Sequence, residues 1–172
     1  MIKTILDPSG LRLFPKDRTA ALVATVSSVV SVTLFVLLLD GLLFRRALPE
    51  GYEALFTTPL LPRMLFSATG SMLEEIQYRL LLTTALVVLA SAIARRPLSP
   101  LAMVLIIGGV QLFNAWIPVS HYPVYGTLRY WLVGCVWGLL YWRHGFLAAL
   151  AGHGAVHLLL DPALREMLLL TQ

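Results

Sequence analysis

The stretch from residue 19 to residue 44 reads TAALVATVSSVVSVTLFVLLLDGLLF, and it decides the class of the fold. Its only charged residue is Asp40, close to the C-terminal end. A helix that crosses a bilayer needs about 20 predominantly apolar residues, so this run predicts a transmembrane helix. The run is longer than the apolar part of a signal peptide, which has about 7–15 residues. No clear small-x-small cleavage site follows it, and we therefore predict an uncleaved first span.

The composition of the chain also indicates a membrane protein. Of the 172 residues, 58% are hydrophobic and only 13% are charged, whereas a soluble domain is about half apolar and about a quarter charged. The net charge is +4, but many basic residues flank apolar runs, as Arg45, Arg46, Arg95 and Arg96 do. That placement suits lipid headgroups rather than a nucleic-acid surface. We expect the bilayer as a partner, no nucleic acid, and a packing role for the single Cys135.

Further apolar runs predict an all-α, polytopic transmembrane helical bundle of about five to six spans with short interfacial helices. Residues 1–18 are expected to be an interfacial N-terminal segment with a short surface helix, and residues 19–172 a single membrane-embedded domain. The predicted spans cover 19–44, 71–94, 99–117, 128–142 and 146–160, and a short helix follows over 162–171. The distribution of Lys and Arg favours a cytoplasmic N-terminus, although the Arg45-Arg46 pair argues the other way.

Six ionisable residues stand out from the apolar background, and an ionisable group at membrane depth indicates a functional site by default. They are Glu74, Glu75, Arg79, His121, His153 and His157. The first three lie in SMLEEIQYR, residues 71–79, which has two interpretations. In the structural one, Ser71 and Glu74 form a capping box and the next glutamate pairs with the arginine four residues on. In the functional one, that buried pair holds the helix and leaves Glu74 as a general base for water.

The histidines complete the candidate site. His153 and His157 are four residues apart in GHGAVH, so they share one face of a helix. His121 follows the third predicted span, in IPVSHYP, and Asn114 is a rival polar group for the same site. His144 lies in a basic turn on the opposite membrane side and is expected to be an ordinary loop residue.

These residues together resemble the CPBP family, which includes the type II CAAX-prenyl endopeptidases and the bacteriocin-processing proteins also called ABI proteins. That family shows Glu-Glu-x-x-x-Arg, Phe-x-x-x-His and His-x-x-x-Asn or Asp, in this order, on membrane helices. The resemblance covers about residues 70–160, and it rests on Glu74, Glu75 and Arg79, then His121, then His153. Ile117 stands where the family has Phe, and His157 stands where it has Asn or Asp.

Two further features bear on the third motif. The spaced small, aromatic and basic residues from Gly134 to Gly145 resemble the stretch that leads into it. A shifted register of His157 with Asp161 would also satisfy the motif, but the small residues around His153 favour the first register. Asp161 is in addition expected to cap a helix that begins at Pro162.

The resemblance implies a glutamate-type intramembrane endopeptidase that cleaves membrane-anchored proteins near a membrane face, with C-terminal sorting tags as one substrate class. It implies that Glu74 and His121 activate water, that Glu75 and Arg79 brace the helix, and that His153 and His157 stabilise the oxyanion. No cofactor is expected. Three alternatives remain: a zinc-dependent protease with these carboxylate and histidine ligands, a non-catalytic binding or bacteriocin-immunity protein, and a structural membrane subunit. A bacterial inner membrane is the expected location.

Overall fold

The computed structural model describes residues 10–169, which form helices joined by short connections and contain no strand. Three helical stretches among these residues are long and apolar enough to cross a membrane: Arg18–Leu43, Leu60–Ala94 and Phe146–Leu168. A fourth apolar helix, Pro100–Asn114, is shorter. The predicted all-α fold is therefore confirmed for the described residues, and three of its helical stretches could cross a membrane, whereas the predicted count of five to six spans is not confirmed.

The first span begins where the sequence predicts it. Helix α1 covers Arg18–Leu38 and continues as a π-helical segment over Leu39–Leu43. Asp17 caps it, since one side-chain oxygen accepts a hydrogen bond from the backbone N–H of Ala20 at 3.0 Å. Residues 10–17 are not helical, and the remainder of the predicted N-terminal surface helix lies outside the described residues.

The second span starts earlier than predicted. After two short 3₁₀ turns, α2 covers Leu60–Glu74, continues as a π-helical segment over Glu75–Thr83, and ends as α3, Thr84–Ala94. The predicted start at residue 71 is wrong, because the prolines upstream sit before the helix or in its first turn, where a missing N–H costs nothing. Ser71 consequently lies inside the helix, where its hydroxyl donates to the carbonyl of Ala68 at 2.8 Å. The structure thus contains no capping box at this position.

The middle of the chain is built from shorter helices. Helix α4 covers Pro100–Asn114, and α5 covers Trp116–His121. Helix α6, Pro123–Gly126, runs through a π-helical segment, Thr127–Leu132, into α7, Val133–His144. The predicted third span is therefore cut short at Asn114, and His121 lies at the end of a short helix rather than in a loop.

The last helix corrects the predicted break at Pro162. Helix α8 covers Phe146–Leu169 without interruption and contains Pro162 in its interior. A proline inside a helix removes one hydrogen bond, here the one that the Leu158 carbonyl would accept. Arg63 of α2 holds the residue before the proline, with Nη2 donating to the Asp161 carbonyl at 3.1 Å and Nε 3.4 Å from its carboxylate. Asp161 is thus a tertiary anchor and not a helix cap.

Helix α8 is the central element of the bundle and packs against α1, α2 and α7. Its first turn is held by the chain before α1. The backbone N–H groups of Phe146 and Leu147 donate to the carbonyls of Arg12 and Leu13 at 2.8 and 3.1 Å. The buried core includes side chains from α1, α3, α7 and α8, among them Val36, Val87, Trp137, Tyr141, Ala149, Val156, Leu160 and Leu164.

The C-terminal end of α8 is capped by a side chain from the first connection. Arg45 donates from Nη1 and Nη2 to the carbonyls of Met167 and Leu168, both at 2.9 Å. Cations at a helix C-terminus satisfy its free carbonyls and oppose its dipole. This contact gives Arg45 a structural role. Its position at the end of the first span therefore does not have to be explained by the orientation of the protein in the membrane.

The close packing of α6 against α5 requires glycine at position 126, the last residue of α6. A Cβ atom built there would overlap backbone atoms of Pro118 and Val119, which cannot move independently of α5. We expect Gly126→Ala to lower the free energy of unfolding by about 1–3 kcal/mol, as overpacking does. Gly109→Ala is the matched control, because Gly109 is an exposed helical glycine with open space around its Cβ position.

Thermal or denaturant unfolding of the two variants in detergent checks this prediction. The control is expected to be neutral or slightly stabilising, since alanine is the better helix former. Equal midpoints for the two variants would show that the contact between α5 and α6 tolerates a side chain at position 126.

Candidate functional site

The predicted Glu-Glu-x-x-x-Arg motif lies where the second span changes its helix type. Glu74 is the last residue of α2, and Glu75 and Arg79 belong to the π-helical segment that follows. Short π-helical insertions are often found at functional sites, because the wider turn re-aims the side chains on it. The two glutamates have opposite environments: Glu74 is exposed, whereas Glu75 is fully buried.

Glu75 and Arg79 form the buried pair that the sequence predicts. Arg79 Nε lies 3.4 Å from Glu75 Oε1, and their side chains are 3% and 0% exposed. Arg79 Nη2 also donates to Gln111 Oε1 at 2.8 Å and to the Gly134 carbonyl at 2.9 Å. The arginine therefore connects three helices. Gly134 permits this contact, since any Cβ atom there would overlap the side chain of Gln111.

The same glutamate oxygen also fixes His153. His153 Nδ1 lies 2.9 Å from Glu75 Oε1, and the imidazole stacks on Trp137 with ring centroids 5.4 Å apart and 15° between the planes. A carboxylate accepts hydrogen bonds, so the proton on this ring lies at Nδ1. In the neutral imidazole, Nε2 is then an acceptor. The His157 ring lies beside it, at a centroid distance of 5.5 Å.

These groups surround one cavity of about 330 Å³. Four of the six predicted site residues line it, and Glu75 supports Arg79 and His153 from a buried position. The lining consists of Glu74, Arg79, Gln111, Asn114, Ala115, Pro118, Arg129, Tyr130, Val133, Gly134, Trp137, His153 and His157. The structure therefore brings together the first and third predicted motifs, which are far apart in the sequence.

The second predicted motif does not join them. His121 is exposed, its Nδ1 lies 2.9 Å from the carbonyl of Ile117 in its own helix, and it is not among the residues that line the cavity. Asn114, the rival polar group in the sequence, does line the cavity. Of the residues in the two registers considered for the third motif, His153 and His157 line the cavity, whereas Asp161 does not and lies 3.9 Å from His157 Nδ1.

Two residues at the site carry no signal in the motif pattern. Gln111 accepts from Arg79 and donates from Nε2 to the Tyr130 carbonyl at 3.2 Å. Arg129 also lines the cavity and pairs with Asp40, 3.1 Å away on the first span. Asp40 interrupts an apolar run and Arg129 borders another, so the rule that marked Glu74 would also have marked this pair.

Several buried polar atoms around the cavity lack a hydrogen-bond partner among the described residues. They are Glu75 Oε2, Arg79 Nη1 and Trp137 Nε1. A buried polar atom without a partner costs free energy, so such atoms are normally satisfied by water or by a ligand. A cavity with spare donors and a spare acceptor is suited to water and to a peptide group.

The zinc alternative receives no support from the arrangement of donors. In the part of the chain that the structure describes, no three His, Cys, Asp or Glu side chains are placed to hold a metal ion. His121, one of the four ligands that the sequence offers for zinc, lies outside the cavity. Zinc therefore stays an alternative that a chelator has to test.

Comparison with known proteins does not identify a family. No family model, no curated protein and no solved structure matches the chain. The resemblance to the CPBP family accordingly rests on the motif residues alone.

Proposed function

We propose that the protein is a glutamate-type intramembrane endopeptidase of the CPBP kind, which cleaves membrane-anchored proteins near a membrane face. One observation carries the proposal: Glu74, His153 and His157 line a single cavity in a bundle of apolar helices, while Glu75 is fixed to Arg79 and His153. A site of this kind separates a carboxylate that can react from one that holds the structure.

In the proposed reaction, Glu74 acts as the general base. It takes a proton from water as the water oxygen attacks the carbonyl carbon of the scissile bond. The resulting tetrahedral intermediate carries a negative oxygen. Glu74 then gives its proton to the amide nitrogen, the C–N bond breaks, and a carboxylic acid and an amine are released.

Two histidines assist at different points. Neutral His153 offers Nε2 as an acceptor toward the cavity, so it can hold the attacking water together with Glu74. The resemblance gives that task to His121, but His121 does not line the cavity. His157 and the unpartnered Arg79 Nη1 supply donors for the oxyanion, and preorganised donors of this type usually make a large contribution to acyl transfer.

The substrate class follows from the location of the site. The cavity lies between helices long enough to cross a bilayer, so its substrates are chains that are themselves anchored in the membrane. Proteins with C-terminal sorting tags in a bacterial inner membrane are the leading substrate class. In this arrangement the N-terminus of the enzyme lies in the cytoplasm, and α4 and α7 complete the transmembrane bundle. If cells that lack the protein still mature all such tagged proteins, this substrate class is wrong.

The proposal is tested by cleavage in proteoliposomes. The purified protein is reconstituted with a pool of single-span peptides that carry varied C-terminal segments, and products are identified by mass spectrometry. Wild type is expected to cleave members of the pool, and Glu74→Gln is expected to lose this cleavage. Glu166→Gln is the matched control, because Glu166 is an exposed glutamate on α8 away from the cavity.

A zinc chelator separates the remaining alternatives. Cleavage that resists the chelator and depends on Glu74 supports a glutamate peptidase. Cleavage that the chelator abolishes and added zinc restores would indicate the metal-dependent variant. Equal cleavage by wild type and Glu74→Gln would exclude Glu74 as the base, and binding of peptides without any cleavage would favour a binding or immunity protein.

A further inference from the structure

We infer that Arg129 is a substrate-binding residue that uses its two terminal guanidinium nitrogens to hold a backbone carbonyl of the peptide near the scissile bond. This inference rests on the proposed function and adds a subsite to it. It starts from a buried polar network at the junction of the first span, the first connection and α6.

Asp40 is the centre of this network. It is fully buried and accepts three hydrogen bonds: from Tyr52 at 2.6 Å, from Tyr125 at 3.1 Å and from Arg129 Nε at 3.1 Å. Burial raises the pKa of both phenols, which lie outside the spanning helices, so each keeps the proton that it donates. These contacts satisfy both oxygens of the carboxylate and bring together segments that are distant in the sequence.

The network fixes Arg129 but uses only one of its three nitrogens. Nε is bound to Asp40, and the guanidinium carbon lies 5.3 Å from the ring centroid of Tyr130. Within residues 10–169, neither terminal nitrogen has a hydrogen-bond partner, although the side chain is only 14% exposed and lines the cavity of Glu74. Arg129 therefore presents a rigid pair of donors beside the site, and such donors need an acceptor.

The charges around the cavity favour a neutral acceptor. Each guanidinium group in the lining is paired with a buried carboxylate outside the lining, Arg79 with Glu75 and Arg129 with Asp40, and Glu74 adds one unpaired carboxylate. The surroundings thus have an excess of negative charge, which disfavours an anionic ligand. A neutral oxygen with lone pairs, such as a peptide carbonyl, is not repelled.

A peptide substrate supplies such carbonyls when it is cut. The carbonyls of a transmembrane helix are bonded within the helix, and water can attack one only after the helix has unwound locally. In a membrane, each carbonyl that unwinding frees must find a donor, because hydrocarbon offers none. A fixed arginine next to the catalytic carboxylate meets this need and keeps the unwound segment in place.

Binding and turnover of one fluorescent single-span peptide from the pool, measured in nanodiscs, test the inference. Dissociation constants are measured in the inactive Glu74→Gln background, and KM and kcat in the active protein. Arg129→Gln is expected to raise both the dissociation constant and KM by about 10-fold, as the loss of charge-assisted hydrogen bonds does, with a much smaller change in kcat. Arg143→Gln, at an exposed arginine on α7, is the matched control and is expected to change neither.

Loss of Arg129 alone leaves Asp40 buried without its cation, so a second variant guards against misfolding. Asp40→Asn/Arg129→Gln removes both charges and keeps an acceptor for one tyrosine, while the new amide NH2 can donate to the phenol oxygen of the other. Its unfolding midpoint is expected to be close to that of wild type, and its KM is expected to remain raised. A folded double variant that binds the peptide with wild-type affinity would overturn the inference. Failure of the proposed function would give a different result: wild type would bind the peptide through Arg129 but would not cleave it.

Discussion

Replacing Glu74 by glutamine is expected to lower the rate of peptide cleavage by about 100- to 10,000-fold, the range that general acid–base catalysis contributes. Glutamine has nearly the same shape and can still bind water, but it cannot take a proton from it. Among the described residues, Glu74 makes no hydrogen bond or ion pair. Its replacement is therefore expected to change the free energy of unfolding by no more than about 0.5 kcal/mol.

The measurement is a single-turnover cleavage rate with the reporter peptide, recorded together with the thermal unfolding midpoint. Single-turnover conditions separate the chemical step from peptide binding and product release. The variant should bind the peptide with wild-type affinity, since only the proton transfer is lost. An unchanged rate, or a lost rate accompanied by a large fall in the midpoint, would contradict the role of Glu74 as the base.

The sequence predicts the class of the fold and several of the ionisable residues at the cavity, because both leave a strong signal in an apolar chain. A run such as residues 19–44 indicates a helix in contact with lipid, and an ionisable residue inside such a run indicates a functional site. The spacing of Glu75 and Arg79 and of His153 and His157 fixes which side chains share a helix face. The structure confirms both pairs.

Other features depend on contacts between helices, which local spacing does not reveal. Proline signals a break, yet α8 continues through Pro162, where Arg63 of a neighbouring helix holds Asp161. Likewise, nothing local distinguishes His121 from the cavity residues. Its exclusion depends on the end of α4 at Asn114, after which His121 belongs to a separate short helix, α5.

The three π-helical segments among the described residues show most clearly that local spacing does not reveal contacts between helices. They carry Asp40, Glu75 with Arg79, and Arg129, the ionised groups that pair at or beside the cavity. A π-helical turn gives poorer backbone geometry than an α-helical one, so it persists only where tertiary contacts stabilise it. The pairing of these groups and the irregular turns therefore depend on each other, and a pattern based on a regular helix misses both.

Glu75→Ala is expected to lower the free energy of unfolding by about 3–5 kcal/mol, the cost of leaving one member of a buried ion pair alone. The change removes the acceptor of Arg79 Nε and His153 Nδ1 and leaves the arginine, 3% exposed, without its counter-charge. Cleavage should fall as well, because His153 loses the contact that orients its ring. Glu74→Gln should show the opposite combination, with activity lost and stability retained.

Unfolding in a denaturing detergent measures this cost, with the exposed Glu166→Ala as the control. A double variant, Glu75→Leu/Arg79→Met, separates charge from packing. Replacing a buried pair by apolar side chains of similar volume is often neutral, so the double variant should be more stable than Glu75→Ala. Its activity should nevertheless remain low, since stability returns without the oxygen that holds His153. If Glu75→Ala is no less stable than Glu166→Ala, the buried pair does not hold the site together, and Glu75 would have to be considered beside Glu74 as the reacting carboxylate.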